Sequence, residues 1–324
     1  MQYEVSVIGA AIIDVLAGPV SEKLFQIGSL PVENVRMSFG GDALNEAVVL
    51  SQLGTKVELI SKVGNDEAGK RVLGFLQEKG VGLNISVDNR IETGINIVLI
   101  DENRERRFLT NPSGSLRKLS EEDVMERLDN LGNIVSMASI FVSPLLDIPA
   151  MEIIFKEIKK KEDRILVADM TTAKHGETLE DIACLLPFID YIIPNETEAE
   201  RLTGEKDAFL NAKKFLKHGA NCVVIKLGAR GCLVKNKEEE YIVPAYANAK
   251  AVDTTGAGDS FAAGFIWGLS KGMPLKESVR FGCAVASCTV ECVGANSAVE
   301  SVDMPMERYR EMRASSKNLT ICHI

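Results

Sequence analysis

Strand-like and helix-like segments alternate along most of the 324 residues, and few folds can bury both kinds of element in that order. Apolar runs at Val5–Ala10, Val57–Val63, Ile140–Ser143, Ile165–Asp169, Tyr191–Ile193 and Val223–Leu227 read as strands. Between them, Ala43–Leu53 and Asp66–Glu78 carry helical periodicity and stop at Gly54 and Gly80. Near-continuous apolar strands joined by helices imply an α/β fold, with a mostly parallel sheet covered on both faces. Two stretches break the alternation, Asp14–Ser38 and Thr93–Ser113. The second contains a hairpin pattern, with Ile95–Ile100 and Arg106–Leu109 flanking Asp101-Glu102-Asn103. Strands contributed by these two insertions, about 14–38 and 93–113, are expected to pair as a small β lid; two surface loops are the alternative. No repeat or linker divides the chain, so residues 1–324 are expected to form one domain.

Composition narrows the function. Hydrophobic residues make up 46% and charged residues 26%, which suits a packed core. A net charge of −9 argues against nucleic acid or an anionic membrane as the main partner. No run approaches the roughly 18–20 apolar residues of a membrane helix. Met1–Ala11 contains Glu4 and no basic stretch, so it reads as a strand rather than a signal sequence. The seven cysteines form no C-x-x-C pair. Cys283, Cys288 and Cys292 fall in a helical apolar pattern and are expected to be small core residues in a reduced, cytoplasmic protein. The three histidines, His175, His218 and His323, are scattered and show no metal-ligand spacing.

The most informative segment is Asp253-Thr254-Thr255-Gly256-Ala257-Gly258-Asp259, which runs into a helical pattern at Phe261, Phe265 and Leu269. A glycine-rich helix start presents unpaired N–H groups and a positive dipole end to an anion. Asp259 in the first turn could serve the dipole alone. It could also take a proton from a hydroxyl while the N–H groups of Gly256 to Gly258 hold a transferring phosphoryl group. Neither the Walker pattern nor the protein-kinase motif set is present.

This segment, with Ser260-Phe261, resembles the C-terminal signature of the ribokinase-like (PfkB) carbohydrate kinases. Three further stretches resemble that family in the same order. They are Phe39-Gly40-Gly41-Asp42-Ala43-Leu44-Asn45-Glu46-Ala47 (with Val63–Gly69 after it), Pro194–Glu200 and Lys226-Leu227-Gly228-Ala229-Arg230-Gly231. Together they span nearly the whole chain. The resemblance implies a three-layer sandwich with a β lid and an ATP-dependent kinase acting on a sugar. Asp259 would be the base and Gly256, Ala257 and Gly258 the anion hole. Asn195 and Glu198 would help hold Mg²⁺, although an N-cap asparagine before a surface helix reads the same way. Lys226, Gly228 and Gly231 would lie against the nucleotide, although the glycines also suit a plain hairpin and Lys226 a solvated strand end. The carbonyls of Asp253 and Thr255, with the turn at Gly294–Ser297, would form a K⁺ site.

On the acceptor side, Asp14, Gly40, Gly41, Asp42 and Asn45 offer the carboxylates, amide and open backbone that sugar hydroxyls require. Asp14 is expected at the carboxyl end of the first strand. Ile12, Asp42, Ala43 and Leu44 replace the Asn, Lys, Gly and Ala of ribokinases, and Val142 aligns with a ribose-binding glutamate. The ribose pocket is therefore partly rewritten. Arg104, Arg106 and Arg107 are expected on a solvated face of the lid, with capture of a substrate anion as the alternative. Asn96 and Asn111 could add amides to the pocket. Competing readings are a nucleoside or phosphosugar kinase of the same fold and a non-catalytic sugar-binding regulator. A nucleoside kinase would need aromatic platforms from Phe25, Phe39 or Phe108. A homodimer through the lid is also expected.

Overall fold

Val5, Val7 and Ile8 are fully buried, and that burial on two faces sets the architecture: the strands they belong to lie between layers of helices. The computed structural model describes residues 3–103 and 105–320, apart from the side chains of 316–320; Arg104 and His323 lie outside the described residues. In chain order the elements are β1 (Val5–Ile8), β2 (Ile12–Val20), β3 (Asn34–Gly40), α1 (Asp42–Gln52), β4 (Val57–Gly64), α2 (Glu67–Glu78), β5 (Gly82–Asp88), β6 (Ile95–Asp101) and β7 (Arg106–Thr110). They continue with α3 (Glu121–Met125), β8 (Ile134–Ile140), α4 (Ile148–Ile158), β9 (Ile165–Met170), β10 (Tyr191–Ile192), α5 (Glu196–Thr203), α6 (Ala208–Lys217), β11 (Val223–Lys226), β12 (Cys232–Lys235) and β13 (Glu240–Val243). Three helices close the chain, α7 (Ala257–Ser270), α8 (Leu275–Thr289) and α9 (Asp303–Thr320).

The large sheet runs β13-β12-β11-β10-β9-β8-β1-β4-β5. Pairing is parallel from β5 to β11, and β12 is antiparallel to both of its neighbours. One core lies between the sheet and α1, α2, α7, α8 and α9. The other lies between the opposite face and α3, α4, α5 and α6. This is the expected three-layer α/β sandwich. Chain order reverses at β1, which is flanked by β4 on one side and β8 on the other, and open sheets place ligand sites at the carboxyl ends of strands around such a reversal.

The two irregular stretches form a separate four-stranded sheet, β3-β2-β6-β7. Side chains alternate across it. Ser38, Asp14, Asn96 and Thr110 form one register line; one residue away, Met37, Val15, Ile97 and Leu109 form a line on the opposite face. That second line is apolar, and Met37, Ile97 and Leu109 are exposed.

Three expectations need correction. The strand placed at Ile140–Ser143 ends at Ile140 and begins at Ile134. Its register against Val5–Ile8 buries a run rich in small side chains, and Phe141 turns away at φ 73°. Asp14 does not end the first strand, which stops at Ile8; it stands in β2 of the small sheet. Cys283 and Cys288 are buried in α8, whereas Cys292 is exposed beyond its end.

Candidate active site

The carboxyl ends of β8, β9 and β11 and the start of α7 converge on a cleft of ≈ 560 Å³. Asp259 enters it from the first turn of α7. Gly256 caps that helix at φ 72°, where an L side chain is strained and a Cβ would meet Ala295. The Ala257 N–H donates to Thr254 O at 3.2 Å, so this one of the three expected anion-hole donors is engaged within the turn. Asn45, in the first turn of α1, donates Nδ2 to Asp259 Oδ2 at 2.8 Å. Asn296 in turn donates to Asn45 Oδ1 at 2.8 Å and to Phe39 O at 3.2 Å.

Lys226 ends β11 and is no solvated strand end: its side chain is 14% exposed and paired with Asp169 at the end of β9. Its Nζ lies beside the Cα of Gly258, so ammonium and helix start face the same volume. Gly228 and Gly231 form the turn into antiparallel β12, as the hairpin reading expects, and also line the cleft. Asn195 and Glu198 likewise combine a local structural task with a place at the cleft. They make a reciprocal capping box on α5, and both open onto the cleft.

Electrostatics set the site apart from its surroundings. Burial, then the Asp42 carboxylate, pushes Asp259 well above the usual carboxylate range, and donation from Asn45 opposes the rise. Burial raises Asp42, Asp169 and Glu46 as well, and Glu198 to about 7. For Lys226, burial alone would lower the pKa, but Asp169, Glu198 and Asp259 outweigh it and keep the ammonium charged. Carboxyl groups thus crowd around Lys226, an imbalance that a hard divalent cation would offset. Among the described residues, no cluster of three or more His, Cys, Asp or Glu side chains forms a metal cage. A few oxygen donors without a cage suit Mg²⁺, which keeps several of its waters.

The small sheet contributes a second set of polar contacts. Asn96 donates to Asp14 Oδ1 at 3.0 Å, and the Asp14 carboxylate lies so close to Gly40 that a Cβ there would collide with it. Asp42 starts α1 after Gly41 and lines the cleft beside Ser139. A small cavity next to it is lined by Val142. Asn111 does not join the pocket, since its side chain is tied to Glu92. Arg106 is not on a solvated face: it crosses from β7 to Asp253 Oδ1 at 2.7 Å. Arg107 stays exposed against Glu105. Asp253 also accepts from the Thr255 N–H and hydroxyl and from the Gly294 N–H, so one carboxylate joins β7, the start of the glycine-rich turn and the turn near Gly294. Phe39 is stacked on Phe75 with centroids 4.2 Å apart.

Sequence reasoning missed Asp169, Glu46 and Asn296. Asp169 had a signal, an acid ending an apolar strand at the carboxyl edge. Glu46 had another, a charge inside the uninterrupted buried run of α1. Asn296 had none, because its role depends on a turn packing against α1.

Comparison with known proteins gives the family and the fold. The family model described as pfkB family carbohydrate kinase matches residues 2–302. Ribokinase of Haemophilus influenzae is 31% identical over 285 residues, covering 86% of this chain and 90% of that protein. An ATP-dependent 6-phosphofructokinase of Thermoanaerobacterium thermosaccharolyticum is 29% identical over 314 residues, covering 95% and 94%. Among solved structures, Arabidopsis thaliana ribokinase complexed with ribose and ATP superposes with a TM-score of 0.80 at 25% identity, covering 96% of this chain and 99% of that one. The chain is a phosphotransferase with an alcohol acceptor, and it belongs to the pfkB family of carbohydrate kinases.

Proposed function

We propose that this kinase transfers the γ-phosphoryl group of ATP to a hydroxyl of an uncharged, polyhydroxylated sugar, with Asp259 as general base. The observation that carries the acceptor class is the sign of the pocket. Asp42 lines the cleft with the Asp14 carboxylate near enough to act on it, and Arg106, whose charge also reaches Asp14, is already paired with Asp253. A sugar that already bears a phosphate would meet carboxylates and no free cation from Arg106. The partly rewritten ribose pocket around Ile12, Asp42 and Val142 disfavours ribose itself. Phe39 is stacked on Phe75, so a nucleobase platform would have to come from the exposed Phe25 or Phe108.

In the proposed reaction, Asp14, Asn96, Asp42 and the backbone at Gly40 and Gly41 hold the sugar hydroxyls. One oxygen of Asp259 is fixed by Asn45, and the other takes the proton of the attacking hydroxyl. The N–H groups of Gly256 and Gly258 would form the anion hole for the transferring group, with Lys226 beside it; the Ala257 N–H, expected there too, is instead used within the turn. Asn195 and Glu198 would hold Mg²⁺ through its waters, and the metal would neutralise charge on the ATP phosphates. Gly228 and Gly231 line the nucleotide side. The Asp253 and Thr255 carbonyls, tied to Gly294 through the Asp253 side chain, would frame a K⁺ site.

We extend the proposal to the whole chain acting as one unit, with the four-stranded sheet as lid. The apolar outer line of that lid would be covered by a second copy. Cys232 and Cys283, free thiols 3.8 Å apart, suit a reducing cytoplasm.

The test is a screen of pentoses, hexoses, ketoses, sugar acids, sugar phosphates and nucleosides for ADP release, with Asp259→Asn as blank. The best acceptor is expected to be a neutral sugar. A sugar phosphate preferred by roughly 100-fold would overturn the acceptor class and leave the kinase intact. Sugar binding with no ADP release would favour the regulator.

A further inference from the structure

The far end of the cleft is built from a loop and a helix that the last helix holds together. Tyr246, Ala249 and Ala251 line the cleft from the segment after β13, and Ser287 and Val290 line it from the end of α8. Both walls pack on the core beside β12 and β13. The end of the loop is tied to α8 by the Val252 and Asp253 N–H groups, which donate to Val290 O at 2.7 and 3.1 Å, and its start is joined to α8 by Arg308 on α9, whose side chain is 13% exposed. Its Nη2 donates to Glu291 Oε2 at 2.6 Å and its Nη1 to Ser287 Oγ at 3.1 Å, and its guanidinium lies over the Tyr246 ring at 5.0 Å. Glu291 uses its other oxygen to accept from the Lys250 N–H at 2.8 Å, and Glu311, one turn along α9, accepts from the Tyr246 hydroxyl at 2.7 Å. One guanidinium therefore touches the loop, the end of α8 and the turn after it. A planar fork that donates at both ends and stacks on its face can do this, and an ammonium cannot.

We propose that Arg308 is a positioning residue for the phosphoryl donor: it clamps the loop at Tyr246–Ala251 to α8, and so preforms the wall against which the base of ATP packs. This rests on the reading of the cleft as the nucleotide site. Without the clamp, Tyr246 and the start of the loop must be ordered by the nucleotide itself, and that cost appears as weaker donor binding. The acceptor pocket, which lies on the lid side of Asp259, is untouched.

The experiment compares wild type, Arg308→Ala, Arg308→Lys and Glu291→Gln. It measures KM for ATP, KM for the acceptor, kcat, direct titration of a fluorescent ATP analogue without acceptor, and the melting temperature of the free protein. In Arg308→Ala, both KM for ATP and the analogue's dissociation constant are expected to rise about tenfold, the scale of one or two wall side chains left unordered. The kcat and acceptor KM should stay within about twofold, because the reacting groups are unchanged. Arg308→Lys should recover part of the affinity and Glu291→Gln should lose part, through the shared ion pair. Unchanged nucleotide affinity in both Arg308→Ala and Glu291→Gln would overturn the proposal. So would a parallel fall of kcat, both KM values and melting temperature, which would mark a purely structural role. If Arg308→Ala does not fold, Glu291→Gln decides by the same split. Wild type that binds acceptor but no nucleotide analogue would instead sink the reading of the cleft, and the clamp with it.

Discussion

Asn45 on α1 and Asp259 on α7, 214 positions apart, are joined by a 2.8 Å hydrogen bond from Nδ2 to Oδ2. The bond crosses the packed interface between the two helices, so the acceptor-side motif and the glycine-rich helix start share one geometry. It fixes the plane of the carboxylate and leaves Oδ1 to face the cleft.

Asp259→Asn is expected to lower kcat by roughly 10³-fold with little change in nucleotide affinity, since only the proton acceptor is removed. Asn45→Ala keeps the base but frees its rotation, and a smaller loss, roughly 10- to 100-fold, is expected. Steady-state kinetics with direct ATP titration separate the two. Near wild-type turnover in Asp259→Asn would disprove the assigned base.

Glu46 is 1% exposed, and its Oε1 has no hydrogen-bond partner. Burial, with Asp169 and Asp259 nearby, holds its pKa well above the ordinary 4.5. A raised folded pKa means that the stability of the neutral form is whole below 4.5 and erodes as pH climbs toward the folded value. Glu46→Gln cannot ionise. It should match wild type near the ordinary value and become progressively more stable through neutral and alkaline pH, by at most about 1.4 kcal/mol per pH unit. Urea unfolding across that range checks this; a gap that does not widen with pH would mean that Glu46 is not held neutral.

Arg106→Gln breaks the contact between β7 and Asp253. Acceptor KM is expected to rise roughly tenfold while ATP KM stays within about twofold if the small sheet acts as the proposed acceptor lid. Initial rates at varied acceptor and fixed ATP test this. An unchanged acceptor KM would show that lid closure does not use the pair.

Ile97→Glu places a charge in the middle of the exposed apolar line of the small sheet. Wild type is expected to be a dimer by light scattering at micromolar concentration, and the variant a monomer, with association weakened roughly 100-fold or more. A monomeric wild type would remove the lid as a dimer interface.

The sheet of this kinase was legible wherever its strands are short apolar runs bounded by turn residues, as at Val57–Gly64 and Val223–Lys226. It was not legible at Ile134–Ile140, where serine and alanine fill positions that look weak in isolation and only parallel pairing with Val5–Ile8 explains their burial. The glycine-rich turn, the Asn195–Glu198 box and the Gly40–Asn45 segment could be read because each performs its task within a few residues, through caps and backbone N–H groups.

By itself, then, the sequence determined the alternating fold class and the local pieces of the site, since periodicity and helix starts are written in adjacent residues. Only the tertiary structure decided which charges meet. It moved Asp14 into the small sheet, turned Arg106 from solvent to Asp253, buried Lys226 against Asp169, buried Glu46 in α1 and set Asn296 against Asn45. These outcomes depend on contacts between residues far apart in the chain and on the loss of solvent around them. Neither is visible in the order of residues along it.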